Sequence, residues 1–219
     1  MPEGSPVTDR IEATGRLAGT VLRRATTRDV PRLRAMLADA FYDDPMFGWL
    51  LPDERKRRAR LRRFFGIELR HMALPRGQVW TAGELSGAAL IMPPGAWRAP
   101  LRATVLESRA FWPQLGRAAT LGAAMEWRHG REVREPHYYV RDIGVLPEMQ
   151  GRGFGAALMH PTLECCDREG LPAYLEASSE RSAALYERLG FRLKHELRVG
   201  GSPPLRLMVR PPRSGRPMP

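Results

Sequence analysis

Three glycines stand at alternate positions in the segment GVLPEMQGRGFGAALM, which spans residues 144–159: Gly151, Gly153 and Gly155. The segment follows HYYVRDIGV (137–145), a stretch rich in β-branched and aromatic residues that predicts a strand, and it runs into a helical pattern. Glycines let successive backbone N–H groups converge, and the N-terminus of a helix adds partial positive charge. This strand–loop–helix unit therefore predicts a binding site for a phosphate group.

Two common kinds of phosphate-binding loop fit the segment poorly. A P-loop needs a lysine after its last glycine, and the segment contains none. The dinucleotide fingerprint G-x-G-x-x-G, started at Gly151, meets Ala156 in its last place, where alanine is sometimes allowed. Glu176 lies roughly where an acid would bind a ribose. The residues weaken the dinucleotide interpretation without excluding it.

The segment resembles the acetyl-CoA loop of the GCN5-related N-acetyltransferase (GNAT) superfamily, which follows the pattern Q/R-x-x-G-x-G/A. Gln150, Gly153 and Gly155 match this pattern after the strand end IGV. Further along, ALYERLGF (184–191) resembles the tyrosine-bearing helix of the same superfamily. A likeness to the actinobacterial branch that contains puromycin acetyltransferase extends over residues 19–210.

The resemblance implies one set of residues for binding acetyl-CoA. Backbone amides from Gln150 to Ala156 are expected to hold the pyrophosphate, and the end of the preceding strand is expected to bind the pantetheine arm, with the Val145 amide near the thioester oxygen. Ser182 stands where many relatives carry an asparagine. The full set is Ile143, Gly144, Val145, Gln150, Gly151, Arg152, Gly153, Phe154, Gly155, Ala156 and Ser182.

The same resemblance implies that Tyr186 donates a proton to the departing sulfur of coenzyme A. A phenol pKa of about 10 lies little above a thiol pKa of about 8.5, so positioning can offset the difference. The alternative for Tyr186 is a core aromatic residue on an amphipathic helix. The general base is open, because Tyr139 stands where histone-modifying relatives carry a glutamate. Glu176 is the first candidate base, Asp142 is the second, and deprotonation through water is equally compatible.

The acceptor is expected to be a primary amine of a small molecule, such as an antibiotic or a metabolite. A protein or an aminoacyl-tRNA is the alternative acceptor, and a non-catalytic acyl-CoA-binding regulatory module is the alternative outside enzymes. Asp43 or Asp44 would attract a cationic amine, although Asp44 also precedes Pro45 and suits the cap of a helix. The predicted acceptor residues are Phe41, Tyr42, Asp44, Phe47, Trp49 and Tyr139.

The predicted elements that position these residues form one α/β or α+β domain. Their order is one strand, helices, two strands, helices, and then strand–helix–strand–helix–strand–strand. The resemblance implies a GNAT-type domain with a central mixed, mostly antiparallel twisted sheet, a splayed pair of strands and flanking helices. Its predicted bounds are 19–210, between a flexible segment 1–18 and a disordered tail 211–219.

Composition and cysteine usage predict a cytoplasmic protein. A chain of 219 residues that is 43% hydrophobic can bury one core. The N-terminus has no apolar secretory region, and the apolar runs are too short to cross a membrane. The adjacent Cys165 and Cys166 are poor partners for a disulfide, which favours a reducing compartment.

The net charge of +11 raises the possibility of a nucleic-acid partner. However, only Lys56 and Lys194 are lysines among 35 basic residues, an arginine bias that is typical of a GC-rich genome. The basic run ERKRRARLRR (54–63) has apolar residues on one side and is interpreted as a solvated helix face. Nucleic acid is therefore not the expected partner, and the resemblance implies a monomer or a homodimer.

The five histidines give no sign of a metal site. They are scattered along the chain without the spacing of metal ligands, and no metal is predicted. His137, next to the central strand, is interpreted as a surface residue, with a place in the acceptor pocket as the alternative. The histidines are His71, His129, His137, His160 and His195.

Overall fold

The computed structural model describes residues 14–17, 20–112 and 114–213. Most of the predicted N-terminal segment and most of the predicted tail lie outside the described residues, as does Pro113, where the sequence predicts a break between helices.

Within the described residues, eight strands form a single mixed sheet. Neighbouring strands are antiparallel except for one parallel pair, β5 and β6, so the predicted sheet is confirmed. The strands are β1 (Thr14–Leu17), β2 (Thr20–Arg24), β3 (Gln78–Ala82), β4 (Gly87–Met92), β5 (Tyr138–Val145), β6 (Ala173–Ala177), β7 (Arg192–Leu197) and β8 (Leu205–Arg210). Their order in the sheet is β1-β2-β3-β4-β5-β6-β8-β7.

The N-terminal strand corrects one prediction. Thr14–Leu17 fall in the segment predicted to be flexible, yet they form β1 and pair antiparallel with β2. Four residues that include a glycine and an arginine show no alternation that a sequence pattern can detect. The pairing with the neighbouring strand supplies the stabilisation that the local sequence lacks.

Helices cover both faces of the sheet. They are α1 (Val30–Ala40), α2 (Pro45–Leu50), α3 (Glu54–Ile67), α4 (Leu74–Arg76), α5 (Leu101–Ser108), α6 (Leu115–Glu132), α7 (Phe154–Glu169) and α8 (Glu180–Arg188). A π-helical stretch, Glu68–Ala73, joins α3 to α4. The glycine at position 122 suggests a second break in the helical stretch 100–130, but α6 runs through that residue without one. None of the helices in the described ranges is long and apolar enough to cross a membrane.

The sheet divides the buried apolar residues into two clusters. On one face, here called the α1 face, the sheet packs against α1, α3 and the π-helical stretch through residues such as Leu37, Phe65 and Leu69. On the opposite face, the α7 face, it packs against α7 and α8. Alternation along β5 follows this division, since Tyr139 joins the first cluster while Tyr138 joins the second.

β5 and β6 diverge after three residue pairs. Their parallel ladder joins Tyr138–Val140 to Ala173–Leu175, and β5 then continues to Val145 bonded to β4 alone. The divergence begins at a β-bulge, because Leu90 of β4 lies opposite Asp142 and leaves Arg141 as an extra residue on β5. Bulges bend a strand and increase its twist, which explains why β6 separates there. The predicted splayed pair of strands is confirmed, and the opening between the strands is called the notch below.

Candidate functional site

A cavity of about 640 Å³ opens at the notch. The glycine loop, the first turns of α8 and the connection between α1 and α2 form its walls. It brings together most of the residues that the sequence singled out: Phe41, Asp44, Ile143, Gly144, Val145, Gln150, Gly151, Gly153, Phe154, Gly155, Ala156, Glu176, Ser182 and Tyr186.

The glycine loop presents free N–H groups to open space. Gly151 and Gly153 have φ values of 80° and 85°, a left-handed conformation that glycine adopts without strain. The first hydrogen bond of α7 runs from Ala157 N to Gly153 O at 3.0 Å, so the amides before Ala157 have no acceptor in the helix. A Cβ at Gly151 or Gly153 would meet no atom within 4 Å. The loop therefore has both the donors and the room that a phosphate group needs.

The end of β5 directs further backbone groups into the notch. Leu146 N donates to Ser86 O of the preceding turn at 2.9 Å, and hydrogen-bonded pairs alternate along an antiparallel ladder. Because of this alternation, Ile143 and Val145 make no backbone hydrogen bonds to β4. Their N–H groups point to the other side of β5, into the notch that β6 leaves open. The Val145 carbonyl accepts from Gln150 Nε2 at 3.1 Å, which ties the loop to the strand.

Gly144 makes a different contribution from its neighbours. The same alternation puts Gly144 in a bonded pair with Ala88 of β4, so its backbone faces β4 and not the notch. A Cβ at Gly144 would lie 3.0 to 3.1 Å from Phe41, Ala40 and Leu37 of the α1 region. The absence of a side chain at Gly144 therefore allows α1 to approach β5. Direct contact between Gly144 and a cofactor stays a prediction.

Tyr186 projects from α8 into the cavity. Its ring is 5% exposed and lies 5.9 Å from the ring of Phe191. Burial raises the pKa of the Tyr186 hydroxyl, and the charges of Asp142 and Asp44 raise it further. The hydroxyl therefore keeps its proton at every physiological pH and is available as a donor.

Ser182 takes part in the cap at the start of α8. The Ser179 hydroxyl accepts from Ser182 N at 3.1 Å, and the Ser182 hydroxyl donates to Ser179 O at 2.9 Å. This reciprocal pair satisfies backbone groups of the first turn and holds the helix in place beside the cavity. A contact between Ser182 and a cofactor stays a prediction.

Asp44 connects α2 to the end of β6. Its Oδ1 accepts from Met46 N and Phe47 N at 2.9 and 3.0 Å, so the interpretation of Asp44 as a helix cap is confirmed. The Ser178 hydroxyl donates to its other carboxylate oxygen. Burial raises the pKa of Asp44, and these hydrogen bonds oppose that rise. The role of Asp44 in attracting an amine stays a prediction.

Two more carboxylates in the cavity are poised to exchange protons near neutral pH. Burial raises the pKa of Glu176 to about 7, although the hydroxyls of Tyr174 and Tyr139 oppose the rise. Burial also raises the pKa of Asp142 to about 7, with the charge of buried Glu68 as the next cause. Both side chains are partly exposed at the cavity wall, where an incoming group can reach them.

A buried ion pair anchors the bulge of β5. Arg141 donates to the two carboxylate oxygens of Glu68 at 2.5 and 2.7 Å, and Glu107 lies 3.8 Å from the same guanidinium. Burial raises the pKa of Glu68, but attraction to Arg141 outweighs it and the pKa is lowered. Burial and the Glu68 charge raise the pKa of Glu107 to about 10. The cluster thus holds one cation, one anion and one protonated carboxyl group.

We expect Glu68→Gln to lower the free energy of unfolding by about 3 kcal/mol, because the change leaves the Arg141 charge buried without its partner. Urea denaturation measures the loss. Glu126→Gln is the matched control, since it breaks an exposed pair with Arg98 and should cost less than about 1 kcal/mol. Equal losses in the two variants would show that the buried pair contributes no more than an exposed one.

Some predicted residues lie elsewhere. Phe47 packs against the rings of Phe64 and Phe65 in the core, and Trp49 lies beneath the guanidinium of Arg117. Their predicted roles, and those of the other site residues, stay predictions. Of the described residues, the lining of the cavity leaves out five predicted ones: Tyr42, Phe47, Trp49, Tyr139 and Arg152.

Two histidines meet inside the protein. The Nε2 atoms of His129 and His137 are 2.6 Å apart and both residues are 3% exposed, so the interpretation of His137 as a surface residue is wrong. His137 Nδ1 lies 2.8 Å from Glu135 O and must donate to it, so its Nε2 accepts from His129. Burial lowers the pKa of both rings, that of His129 to about 3. In the described ranges, no three His, Cys, Asp or Glu side chains are grouped to hold a metal.

The sequence-based prediction omits five polar residues of the cavity: Arg141, Ser178, Ser179, Arg181 and Arg188. Arg181, Leu185 and Arg188 follow a helical spacing that puts them on one side of α8, and this spacing is a usable signal. Ser178 has no comparable signal, because its position depends on a contact with Asp44, 134 residues away.

Comparison with known proteins identifies relatives of the chain. Residues 38–191 match the family model of the Acetyltransferase (GNAT) family. The chain is 28% identical over 206 residues to an uncharacterized N-acetyltransferase of Schizosaccharomyces pombe, which covers 87% of this chain and 83% of that protein.

Solved structures share the fold. A Corynebacterium glutamicum protein described as histone acetyltransferase HPA2 and related acetyltransferase aligns with a TM-score of 0.65 and 25% identity, covering 89% of this chain and 97% of that one. The polyamine N-acetyltransferase of Drosophila melanogaster, which forms N-acetylagmatine, aligns with a TM-score of 0.60 and 19% identity over 88% and 99% of the two chains.

Proposed function

Because this chain belongs to the GNAT family of acetyltransferases, we propose that it transfers an acetyl group from acetyl-CoA to a primary amine of a small molecule. The observation that carries the proposal is the cavity at the notch, which joins an anion-binding loop to a group of carboxylates. Coenzyme A carries phosphates, whereas an alkylamine is a cation in water. A cavity with N–H donors and arginines on some walls and carboxylates on others is complementary to both.

The likeness to the puromycin acetyltransferase branch is the reason for proposing an antibiotic or a metabolite as the acceptor. A relative with the same fold acts on a polyamine, which is consistent with a small amine. A protein or aminoacyl-tRNA acceptor would need a surface outside the cavity to bind the rest of a large substrate.

The glycine loop fits the pyrophosphate of coenzyme A, because its N–H groups after Gln150 are free and the space beside Gly151 and Gly153 is open. Arg181 and Arg188 line the same cavity and add positive charge. When bound, acetyl-CoA supplies the acetyl group as a reactive thioester. The Val145 N–H, which points into the notch, would donate to the thioester carbonyl oxygen and stabilise the negative charge that develops there.

Tyr186 is the proposed general acid. Its raised pKa keeps the hydroxyl protonated, and its place in the cavity allows it to donate to the sulfur as negative charge develops on that atom. For the proton to move completely from Tyr186 to the sulfur, the site must raise the pKa of the thiol as it raises that of the tyrosine. A site of low polarity does this, because burial disfavours the charged thiolate.

Glu176 is the proposed general base. The acceptor must lose a proton before its nitrogen can attack, and a base works best when its pKa lies near the working pH. Burial gives Glu176 a pKa of about 7, and the carboxylate is reachable from the cavity. Asp142 has a similar pKa and is the alternative base.

We expect Glu176→Gln to lower kcat/KM about tenfold at pH 8 and to remove the fall of kcat/KM at acidic pH. In the wild-type enzyme the base must be ionised, so kcat/KM should fall tenfold per pH unit below about pH 7. The glutamine variant should lose this break. Steady-state rates with one amine over roughly pH 5.5 to 9 measure the effect.

Asp142→Asn is the matched control for this experiment. If Glu176→Gln keeps the fall of kcat/KM below about pH 7 and Asp142→Asn loses it, the base is Asp142. The free energy of unfolding of Glu176→Gln shows whether a loss of activity comes from misfolding. The pKa of Glu176 is raised in the folded state, so ionisation of Glu176 destabilises the fold as the pH rises from about 4.5 to 7. Glu176→Gln should therefore be at least as stable as the wild-type protein above pH 7.

The proposed function is tested by measuring the release of free coenzyme A from acetyl-CoA in the presence of a panel of amines. The panel should contain aminonucleosides, arylalkylamines, polyamines and lysine-containing peptides. Release that depends on a small amine is the expected result. Binding of coenzyme A without release for any amine would instead favour the non-catalytic module, and release with peptides alone would favour a protein acetyltransferase.

A further inference from the structure

A second concave site lies on the outer side of the helices of the α1 face. It has a volume of about 640 Å³, and none of its lining residues belongs to the catalytic cavity. Arg34 of α1, Arg70 of the π-helical stretch and four arginines of α3 line it: Arg55, Arg58, Arg62 and Arg63. This set of six residues is called the arginine groove below.

Two guanidinium groups of the groove converge over a glycine. The position of a Cβ at Gly66 would lie 3.6 Å from Nη1 of Arg70 and 3.9 Å from Nη1 of Arg34. Gly66 itself has no side chain to fill this space, and it forms part of the lining of the groove. Two cations held beside the same point repel each other, and an anion placed between them would remove that repulsion.

The arginine groove is also poor in carboxylates. Arg58 pairs with Asp39 at 3.3 Å, while the other five arginines form no ion pair within the described part of the chain. Elsewhere on the described surface some arginines have partners, as Arg23 does with Asp29 at 2.7 Å, and others have none, but only the groove gathers five unpaired arginines around one concavity. A general bias toward arginine explains how many there are, but it does not explain why unpaired ones gather in a concavity.

We propose that the arginine groove binds a compact anion that carries two or more adjacent phosphate groups, such as an oligophosphate or the phosphate chain of a nucleotide. The guanidinium fork matches phosphate oxygens in a bidentate way, and several forks around one concavity suit a ligand with more than one phosphate. The arginines are gathered around one concavity of about 640 Å³, which favours a compact ligand over an extended nucleic acid. The site is independent of the acetyl-transfer cavity.

Calorimetric titration with sodium tripolyphosphate at physiological ionic strength tests the proposal. We expect binding to the wild-type protein and at least about tenfold weaker binding to Arg34→Ala/Arg70→Ala, since each lost charge-assisted pair contributes about 1.5 kcal/mol or more. Arg192→Ala/Lys194→Ala removes the same charge from the exposed edge strand β7 and should bind as the wild type does. A parallel titration with ATP shows whether a nucleoside adds affinity to the phosphate chain.

Two further measurements locate the bound ligand. Gly153→Ala alters the glycine loop and should leave tripolyphosphate binding within about threefold, whereas loss of binding in this variant alone would place the ligand in the catalytic cavity and overturn the proposal. Absence of binding, or equal weakening in both double variants, would also overturn it. Binding of single-stranded RNA without any binding of tripolyphosphate or ATP would show an extended polyanion surface instead.

Discussion

Gly153→Ala is expected to weaken coenzyme A binding by about 100-fold. The methyl group would enter the open space in front of the loop amides, where the pyrophosphate is proposed to lie. Alanine also resists the left-handed backbone that Gly153 adopts at φ 85°, so the amides would lose their common direction. Loss of two charge-assisted hydrogen bonds at about 1.5 kcal/mol each corresponds to a change of this size.

Gly170→Ala is the matched control for this substitution. Gly170 ends the same helix at φ 68°, and a Cβ there would also meet no atom within 4 Å. Both variants should lose about 1 kcal/mol of unfolding free energy from backbone strain. Only Gly153→Ala should lose binding, as measured by calorimetric titration with coenzyme A. Equal affinities for the two variants would show that the loop does not hold the pyrophosphate.

Tyr186→Phe is expected to lower kcat by about 100-fold while changing the KM for acetyl-CoA less than about threefold. General acids contribute about this much to proton transfer, and the hydroxyl is proposed to act only once the sulfur begins to leave. The phenyl ring keeps the packing against Phe191, so the helix should stay in place. Initial rates over a range of acetyl-CoA concentrations separate the effects on kcat and KM.

Tyr138→Phe serves as the control for loss of a buried tyrosine hydroxyl. The Tyr138 hydroxyl donates to Glu169 Oε2 at 2.8 Å and does not line the catalytic cavity. This variant should lose about 1 kcal/mol of stability and keep its kcat. Full activity in Tyr186→Phe would remove Tyr186 from the mechanism without affecting the assignment of the phosphate loop.

The parts of the site that the sequence predicts are those with local causes. A left-handed glycine, the start of a helix and a strand end can each be recognised within a few residues, and so the phosphate loop could be placed in advance. The role of Tyr186 was implied by the resemblance to a family. The splayed strands followed from the resemblance to a family. Asp44 before Pro45 indicated the start of α2, whereas the strand β1 was missed because four residues are too few to show a period.

The parts that could not be predicted depend on contacts between distant positions. The pair between Arg141 and Glu68 joins residues 73 positions apart, and the bulge at Arg141 leaves no pattern in the sequence. Trp49 and Tyr42 looked like walls of a pocket because they are aromatic and near Asp44. Their side chains were placed elsewhere by packing, which local sequence does not encode.

The notch also has a consequence for how the sheet is completed. A strand edge with free N–H groups normally invites another chain to add a strand. Here the glycine loop and α8 line the space beside Ile143 and Val145, so the room for an added strand is limited to this cavity. A slim, extended ligand with amide groups of its own can still enter, and bound in this way it would stand in for the missing length of β6.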